Sequence, residues 1–244
     1  MPIQPHPRIT IDGSSLNKKG PDYEYDVSGV LMTMKLSLVG IALIDSLQRN
    51  LWIFPHPDPG QNARATPTNR LDAQVAGLRS HSCTDMTPKS DENGNPLYGT
   101  GKGSDSVIRF TPREFLNNST SQGKAIPVGV RRDEALFHEM VHSLRQMTGV
   151  MDCTPYPHDY DTKDDFFVIL ITNIYSSAFH RPLRKNHVDS SVLTDKDVQS
   201  FYGKFESMIA RLCGELPVLT RNIAQIPYIK FNPIRQYYRN HGLI

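Results

Sequence analysis

The sequence predicts an α+β fold with a small mixed sheet packed on a helix, and three stretches support this prediction. "NLWIFP" and "SDSVIRFTP" have the composition of short strands, and each ends at a proline, Pro55 and Pro112. "RRDEALFHEMVHSLRQMTG" has apolar residues at helical spacing between an acidic start and a glycine. We therefore expect this helix to pack beneath the sheet.

Length and charge limit the classes of protein to consider. The 244 residues suit one domain, and we expect a flexible segment over residues 1–22 followed by a single domain over 23–244. A net charge of +2 is too small to indicate nucleic acid as a partner. No run of 18 apolar residues exists, so no membrane span is expected, and the N-terminus lacks the features of a classical signal peptide.

Cysteine usage indicates the redox setting. Cys83, Cys153 and Cys213 are far apart and form no CxxC pair, so a cysteine zinc site is not expected. The simplest interpretation is free thiols in a reducing compartment.

The remaining elements follow from local patterns. A helical pattern starts near Tyr23 and is interrupted near residues 37–40, and residues 56–105 form a long polar loop that we expect to border a binding cleft. The central helix is predicted between an Asp133 N-cap and a Gly149 C-cap. A second helix is expected from about Thr162, with a buried strand as the alternative, and a third over roughly residues 195–212.

The motif HEMVH lies within the predicted central helix. His138 and His142 are four residues apart, so both imidazoles lie on one helical face and can bind one metal ion. Zinc accepts two such nitrogens, takes a third protein ligand, and leaves a position for water. Glu139 is placed to act as general base on that water during attack on a peptide carbonyl. The alternative is a surface helix with two solvated histidines.

The third ligand must come from farther along the chain, because no HExxHxxGxxH pattern is present. Asp165 is the predicted ligand, with Asp164 as the alternative, since both lie at the start of the second helix. Asp161 is a weaker candidate, and His158 and His187 are alternative nitrogen ligands. The two acids of the second helix could instead simply stabilise its first turn.

A hydrolytic intermediate carries an oxyanion that a side-chain donor usually stabilises together with the metal. Tyr175, Arg184 and His187 lie in or after the second helix and are the candidate catalytic donors. A structural role is the alternative for each of them.

Four ordered stretches carry a resemblance to a known family. "GTGKGSDSVIRFTP", "DEALFHEMVHSLR", "DDFFVILITNIYSSAFHRPLRKNH" and "FNPIRQYY" together resemble the NleD-like zinc metallopeptidases, which are type III secreted effectors related to polymorphic-toxin domains. The resemblance implies a zincin-like metalloprotease fold with an HExxH active-site helix. It also implies an endopeptidase with Zn²⁺ as cofactor, secreted by a bacterium and acting in the host cell cytosol.

By position, the resemblance implies that His138 and His142 are zinc ligands, that Glu139 is the base, and that the acid pair before "FF" holds the third ligand. It implies a host signalling protein as substrate, of the MAP-kinase type, and a strand "SDSVIRF" that pairs with an extended peptide. We further expect a monomer, with a secretion chaperone as an additional partner.

Two alternatives remain at this stage. One is an antibacterial toxin metallopeptidase domain. The other is a non-catalytic binding protein with a vestigial or structural metal site, in which the aromatic and basic C-terminal stretch would be a docking surface. Four closed protein ligands would favour a structural zinc, whereas three ligands plus solvent would favour the enzyme.

Overall fold

A computed structural model describes residues 2–57, 63–77, 90–114, 129–156, 160–187 and 191–244. Five short strands form one mixed sheet: β1 (Ile3–His6), β2 (Ile9–Ile11), β3 (Leu51–Phe54), β4 (Arg64–Pro67) and β5 (Ser106–Arg109). Their order in the sheet is β1-β2-β3-β5-β4; β2, β3 and β5 are parallel, and the outer strands β1 and β4 are antiparallel to their neighbours. The α+β prediction with a small mixed sheet is therefore confirmed.

The N-terminal residues are part of this sheet. The sequence predicts a flexible segment over residues 1–22, but β1 and β2 form a hairpin and β2 pairs in parallel with β3. Ile9 and Ile11 are buried in the core. The prediction of flexibility is wrong because these two isoleucines supply a buried strand face.

Two helices follow, α1 (Gly20–Met34) and α2 (Leu38–Asp45). The predicted break is confirmed: Ser37 has an extended backbone and its hydroxyl accepts a hydrogen bond from the Val39 N–H, so it caps α2. Within the described residues no single helix has the length and hydropathy of a membrane span. The stretches Ser14–Met34 and Leu38–Asp45 reach these values only together, across a bend of 115°.

The loop predicted over residues 56–105 contains regular structure, namely β4 and the single-turn helix α3 (Arg70–Ala73). β4 forms the outer edge of the sheet beside β5. The predicted peptide-pairing strand, β5, is hydrogen-bonded to β3 on one side and β4 on the other, so it cannot accept a peptide. Among the described residues, the sheet edge next to it belongs to β4.

The central helix α4 (Arg132–Thr148) contains HEMVH and packs against β4, β5 and α1. Its N-cap is Arg131 rather than the predicted Asp133, whose buried carboxylate instead accepts hydrogen bonds from Tyr175 and Arg181. Its predicted C-cap is confirmed: Gly149 has φ +75° and donates its N–H to carbonyls of the last turn.

Helix α5 (Lys163–Ala178) lies alongside α4 and is buried along most of its length, which excludes the alternative of a strand. Three further helices cover the core: α6 (Asp195–Glu215), α7 (Pro217–Gln225) and α8 (Pro233–Asn240). The C-terminal stretch therefore packs on the molecule as a helix, with Ile234 and Tyr238 buried.

The cysteines differ from the prediction of free thiols. Cys213 is a free, buried thiol, but Cys153 is disulfide-bonded, and its partner lies outside the described residues. The interpretation of the chain as a set of reduced thiols is therefore wrong for Cys153.

Gly149 provides a test of the packing at the end of α4. A Cβ added there would lie 2.3 Å from the Gly101 carbonyl oxygen, in a left-handed backbone conformation that favours glycine. We expect Gly149→Ala to lower the free energy of unfolding by about 2 kcal/mol, measured by urea denaturation. Gly203→Ala is the control: Gly203 lies in α6 with open space around it, and the change should raise stability by about 0.5–1 kcal/mol. Equal effects of the two substitutions would contradict this account.

Candidate metal centre

The two histidines of the motif lie side by side on α4, facing the start of α5. The His138 and His142 ring centroids are 5.0 Å apart, with the ring planes at 73°. The His138 side chain is buried and that of His142 is only 14% exposed. The alternative of a surface helix with two solvated histidines is therefore wrong.

Asp164 fixes the orientation of His142. Its Oδ2 lies 2.8 Å from His142 Nδ1, and its Oδ1 accepts hydrogen bonds from Arg145 Nε at 2.6 Å and from the Asp152 N–H at 3.2 Å. Both oxygens of this fully buried carboxylate are thus occupied within the protein. Asp164 is therefore placed to orient a ligand, and the alternative assignment of Asp164 as the third ligand does not fit.

Asp165 presents a different geometry. Its Oδ2 accepts hydrogen bonds from the N–H and hydroxyl of Thr162, completing a capping box at the start of α5. Its Oδ1 faces the histidines, 3.6 Å from His142 Nε2 and 3.8 Å from His187 Nε2. One oxygen of Asp165 therefore stabilises the helix start while the other is directed at the cluster.

His187 joins the cluster from the chain after α5. Its Nδ1 lies 2.7 Å from Asp161 Oδ2, and its ring stacks near that of His138 with centroids 5.8 Å apart. Asp161, Asp165 and His187 each offer a donor atom within 4.8 Å of the others. Since the Asp161–His187 contact has hydrogen-bond length, we interpret Asp161 as the residue that orients His187.

The spacing of these donors fits a metal ion. The separations of 3.6 and 3.8 Å from Asp165 Oδ1 are too long for hydrogen bonds. Zinc bonds of about 2.0–2.2 Å at tetrahedral angles place neighbouring donor atoms about 3.4 Å apart. Imidazole nitrogens and a carboxylate oxygen are ligands that zinc accepts. The Nε2 atoms of His142 and His187 therefore lie at distances from Asp165 Oδ1 that suit a metal ion, and the His138 ring lies beside them, 5.0 Å from that of His142.

Burial and neighbouring charges set the protonation of the histidines. Burial lowers the pKa of His138 well below its ordinary value, and the nearby charges of His142, His187 and Arg184 act in the same direction. Burial opposes charging of His142 as well, but the hydrogen bond to Asp164 and the surrounding carboxylates raise its pKa to about 9. A metal ion would therefore compete with a proton at His142.

The same surroundings shift the pKa values of Glu139 and Asp164. Burial raises the pKa of Glu139 to about 7, and the charge of His142 partly offsets this rise. Burial would also raise the pKa of Asp164, but the charge of Arg145 and the hydrogen bond to His142 lower it to about 2. Asp164 is therefore ionised wherever the protein is folded at ordinary pH.

Glu139 lies between the histidine cluster and the edge of the sheet. Its Oε2 accepts a hydrogen bond of 2.6 Å from the Ala65 N–H of β4. Its side chain is partly exposed, and its charge raises the pKa of His142, so the two groups are close. The arrangement leaves a partly exposed carboxylate, restrained by the sheet edge, beside the candidate metal centre.

The other predicted donors have different surroundings. Tyr175 is fully buried, stacks on Phe137 at 4.2 Å and donates its hydroxyl to Asp133, so the structure does not bring it to the cluster. Arg184 is close enough for its charge to lower the pKa of His138, and its guanidinium donates to the His187 carbonyl. Arg184 is thus placed as a positioning residue for His187. His158, an alternative ligand, lies outside the described residues.

Arg145 is a residue of the candidate site that sequence reasoning missed. It lies on the same polar face of α4 as the histidines, yet it is fully buried between Asp164, Glu215 and the Val150 carbonyl. The spacing of three between His142 and Arg145 was the available signal, because residues three apart share a helical face.

Comparisons with known proteins do not add to this geometry, since no protein-family model, curated protein or solved structure matches the chain.

The capping box of α5 provides a test of the site. Thr162→Ala should lower stability by about 1 kcal/mol through loss of the cap. It should also weaken zinc binding by about tenfold, because Asp165 loses the Thr162 hydroxyl, one of the two donors that hold it, while the backbone N–H remains. Zinc affinity is measured by competition with a chromophoric chelator.

Thr194→Ala is a matched control, since Thr194 and Asp197 form the same capping box at the start of α6. This variant should be destabilised by a similar amount without a change in zinc affinity. An equal loss of zinc affinity in both variants would show that the effect of Thr162→Ala is one of general stability.

Proposed function

We propose that the protein is a zinc-dependent endopeptidase with a zincin-like arrangement of its HExxH helix. The observation that carries this proposal is the convergence of His142 Nε2 and His187 Nε2 on Asp165 Oδ1 at the spacing of metal donors, with Glu139 beside them. A cluster of this kind next to a partly exposed carboxylate has the parts that hydrolysis requires.

Each residue has a definite task in this proposal. His138, His142 and Asp165 would hold the zinc ion, while Asp164 keeps His142 Nε2 directed at the cluster. When bound, zinc supplies acidification of water and polarisation of a carbonyl group. The hydrogen bond from the Ala65 N–H keeps the Glu139 carboxylate at the edge of the cluster.

Glu139 would handle the proton. During hydrolysis the water oxygen bonds to the carbonyl carbon, the C–N bond breaks, and one water proton must reach the leaving nitrogen. Glu139 can accept this proton and return it to the amine, since one of its oxygens is bound by Ala65 and the other is available to the reactants.

An extended peptide would bind along β4. This strand is the outer edge of the sheet and contacts α4, so its free side lies next to Glu139. Edge strands bind peptides through main-chain hydrogen bonds. Pro67 has no N–H and the Ala65 N–H already donates to Glu139, so β4 would pair with a peptide mainly through its carbonyl groups.

A secreted effector that cleaves a host signalling protein remains the proposed setting, with MAP-kinase-like proteins as substrates suggested by the resemblance. A monomer assisted by a secretion chaperone is part of the same proposal. The disulfide of Cys153 favours exposure to an oxidising compartment. This supports export from the producing cell, but it argues against action in the host cytosol.

A binding protein with a structural metal is the second candidate. The observation that favours it is the number of donors, because His138, His142, Asp165 and His187 together could fill all four positions of a tetrahedral ion. Glu139 favours the enzyme, since a closed structural site does not need a further, partly exposed carboxylate restrained by a strand edge.

The decisive test is substitution of the proposed base. Glu139→Gln should reduce peptide-bond cleavage by about 10²–10⁴-fold while zinc content and fold are retained, because the amide cannot accept the proton. Zinc-loaded protein is incubated with host-cell lysate and newly formed peptide termini are identified by mass spectrometry.

Glu206→Gln is the control: Glu206 is an exposed residue of α6 that binds Tyr202, far along the chain from the motif, and its substitution should leave the termini unchanged. If the same termini form with wild-type protein and with Glu139→Gln, the proposed function is wrong.

A further inference from the structure

We propose that His187, oriented by Asp161, is a fourth metal donor that closes the resting centre and is displaced when substrate enters. This inference rests on the proposed function and specifies how access to the site is controlled. It assigns to His187 a role different from that of a donor to the oxyanion.

The surroundings of His187 repeat those of His142. Each ring has a carboxylate at Nδ1, Asp161 at 2.7 Å and Asp164 at 2.8 Å respectively. Each ring directs Nε2 at Asp165 Oδ1, at 3.8 and 3.6 Å. A carboxylate behind a histidine is the usual second partner of a metal-binding imidazole. His187 therefore has the same two kinds of partner as His142, a carboxylate at Nδ1 and Asp165 Oδ1 facing Nε2.

The tautomer of His187 leads to the same role. A carboxylate accepts hydrogen bonds, so the contact with Asp161 requires that Nδ1 carries the proton. In the neutral ring Nε2 then has the lone pair, which is the form that binds a metal ion and cannot donate to an oxyanion. Asp161 therefore prepares His187 for coordination.

His187 is also the donor that can leave. His138, His142 and Asp165 lie on α4 and α5, whereas His187 lies outside any helix or strand. The side chains of His187 and Asp161 are 32% and 47% exposed, compared with 14% and 0% for His142 and Asp164. An exposed pair is held more weakly than a buried one, because water competes for the same groups.

The backbone leading to His187 is held in place, although the His187 side chain is 32% exposed. Asn173 of α5 binds both the N–H and the carbonyl of Arg184. The Arg184 guanidinium in turn donates to the His187 carbonyl. The imidazole can therefore rotate away about its side-chain torsions and return, without movement of the segment that carries it.

This arrangement reconciles four donors with a hydrolase. A zinc ion with four protein ligands is typical of structural sites, and catalysis requires an open position. Departure of His187 would provide that position while the three helical donors keep the ion in place. The closed form would also prevent hydrolysis before a substrate is bound.

The test measures metal binding and activity separately. Zinc dissociation constants are determined by chelator competition, and the visible spectrum of the Co²⁺-substituted protein reports the coordination. His187→Ala should raise the zinc dissociation constant by about tenfold or more and change the Co²⁺ spectrum, and Asp161→Asn should raise the constant by about tenfold. His241→Ala, which alters an exposed histidine just after α8 whose ring contacts the Tyr237 carbonyl, is the control and should change neither.

Activity of the zinc-saturated variants discriminates between the two roles of His187. If His187 is a displaceable donor, His187→Ala at saturating zinc should cleave within roughly tenfold of the wild-type rate, since loss of a transition-state donor typically costs about 10²–10³-fold. An unchanged zinc affinity and Co²⁺ spectrum in His187→Ala would overturn the inference, whatever the activity. So would a hundredfold loss of cleavage at saturating zinc.

The proposed function can fail independently of the fourth donor. A wild-type protein that binds zinc without cleaving any peptide, together with a weakened zinc affinity in His187→Ala, would establish a closed four-donor centre. That result would overturn both the displacement of His187 and the endopeptidase.

Discussion

The arrangement of the site depends on one carboxylate between two helices. Asp164, at the start of α5, binds His142 and Arg145 of α4, and the Asp164 and Arg145 side chains are fully buried. Removing one partner from such a buried network typically costs about 3–5 kcal/mol, because the remaining charge is left uncompensated. The register of α5 along α4 is therefore fixed at the level of His142. That register in turn decides where Asp165 and the capping residue Thr162 lie.

Two adjacent acids have separate tasks because consecutive residues of a helix point about 100° apart. Asp164 points into the contact with α4, while Asp165 points along the helix start, where Thr162 holds one oxygen and the other faces the histidines. The same hydrogen bonds therefore begin the helix and orient a candidate metal donor. A stabilising role in the first turn and a role in the site are not alternatives for Asp165; the geometry combines them.

Local signals in the sequence were sufficient for part of this structure. Pro55, Gly149 and the spacing of His138 and His142 each act within a few residues, so the strand end, the helix end and the shared face follow from the sequence. Other features depend on distant partners. β2 is recognisable as a strand only through its pairing with β3, 42 positions along the chain (51 − 9), and Arg145 is buried because Glu215 and Asp164 reach it from other helices. Choosing between Asp164 and Asp165 requires knowledge of how α5 is rotated about its axis. A shift of one residue in the start of the helix would change that rotation.

The distribution of the donors over the fold bears on the choice between a structural and a catalytic centre. Three of the four candidate donors lie on α4 and α5, which are packed along their length and cannot move separately. The fourth, His187, lies on a partly exposed segment whose backbone Asn173 and Arg184 hold. A centre needed only for stability gains most when all its ligands lie on rigid elements, because loss of any ligand weakens it. A centre that must admit a reactant needs one ligand whose departure leaves the others in place. The described residues show the second distribution, and Glu139 lies at the sheet edge where such a reactant would arrive.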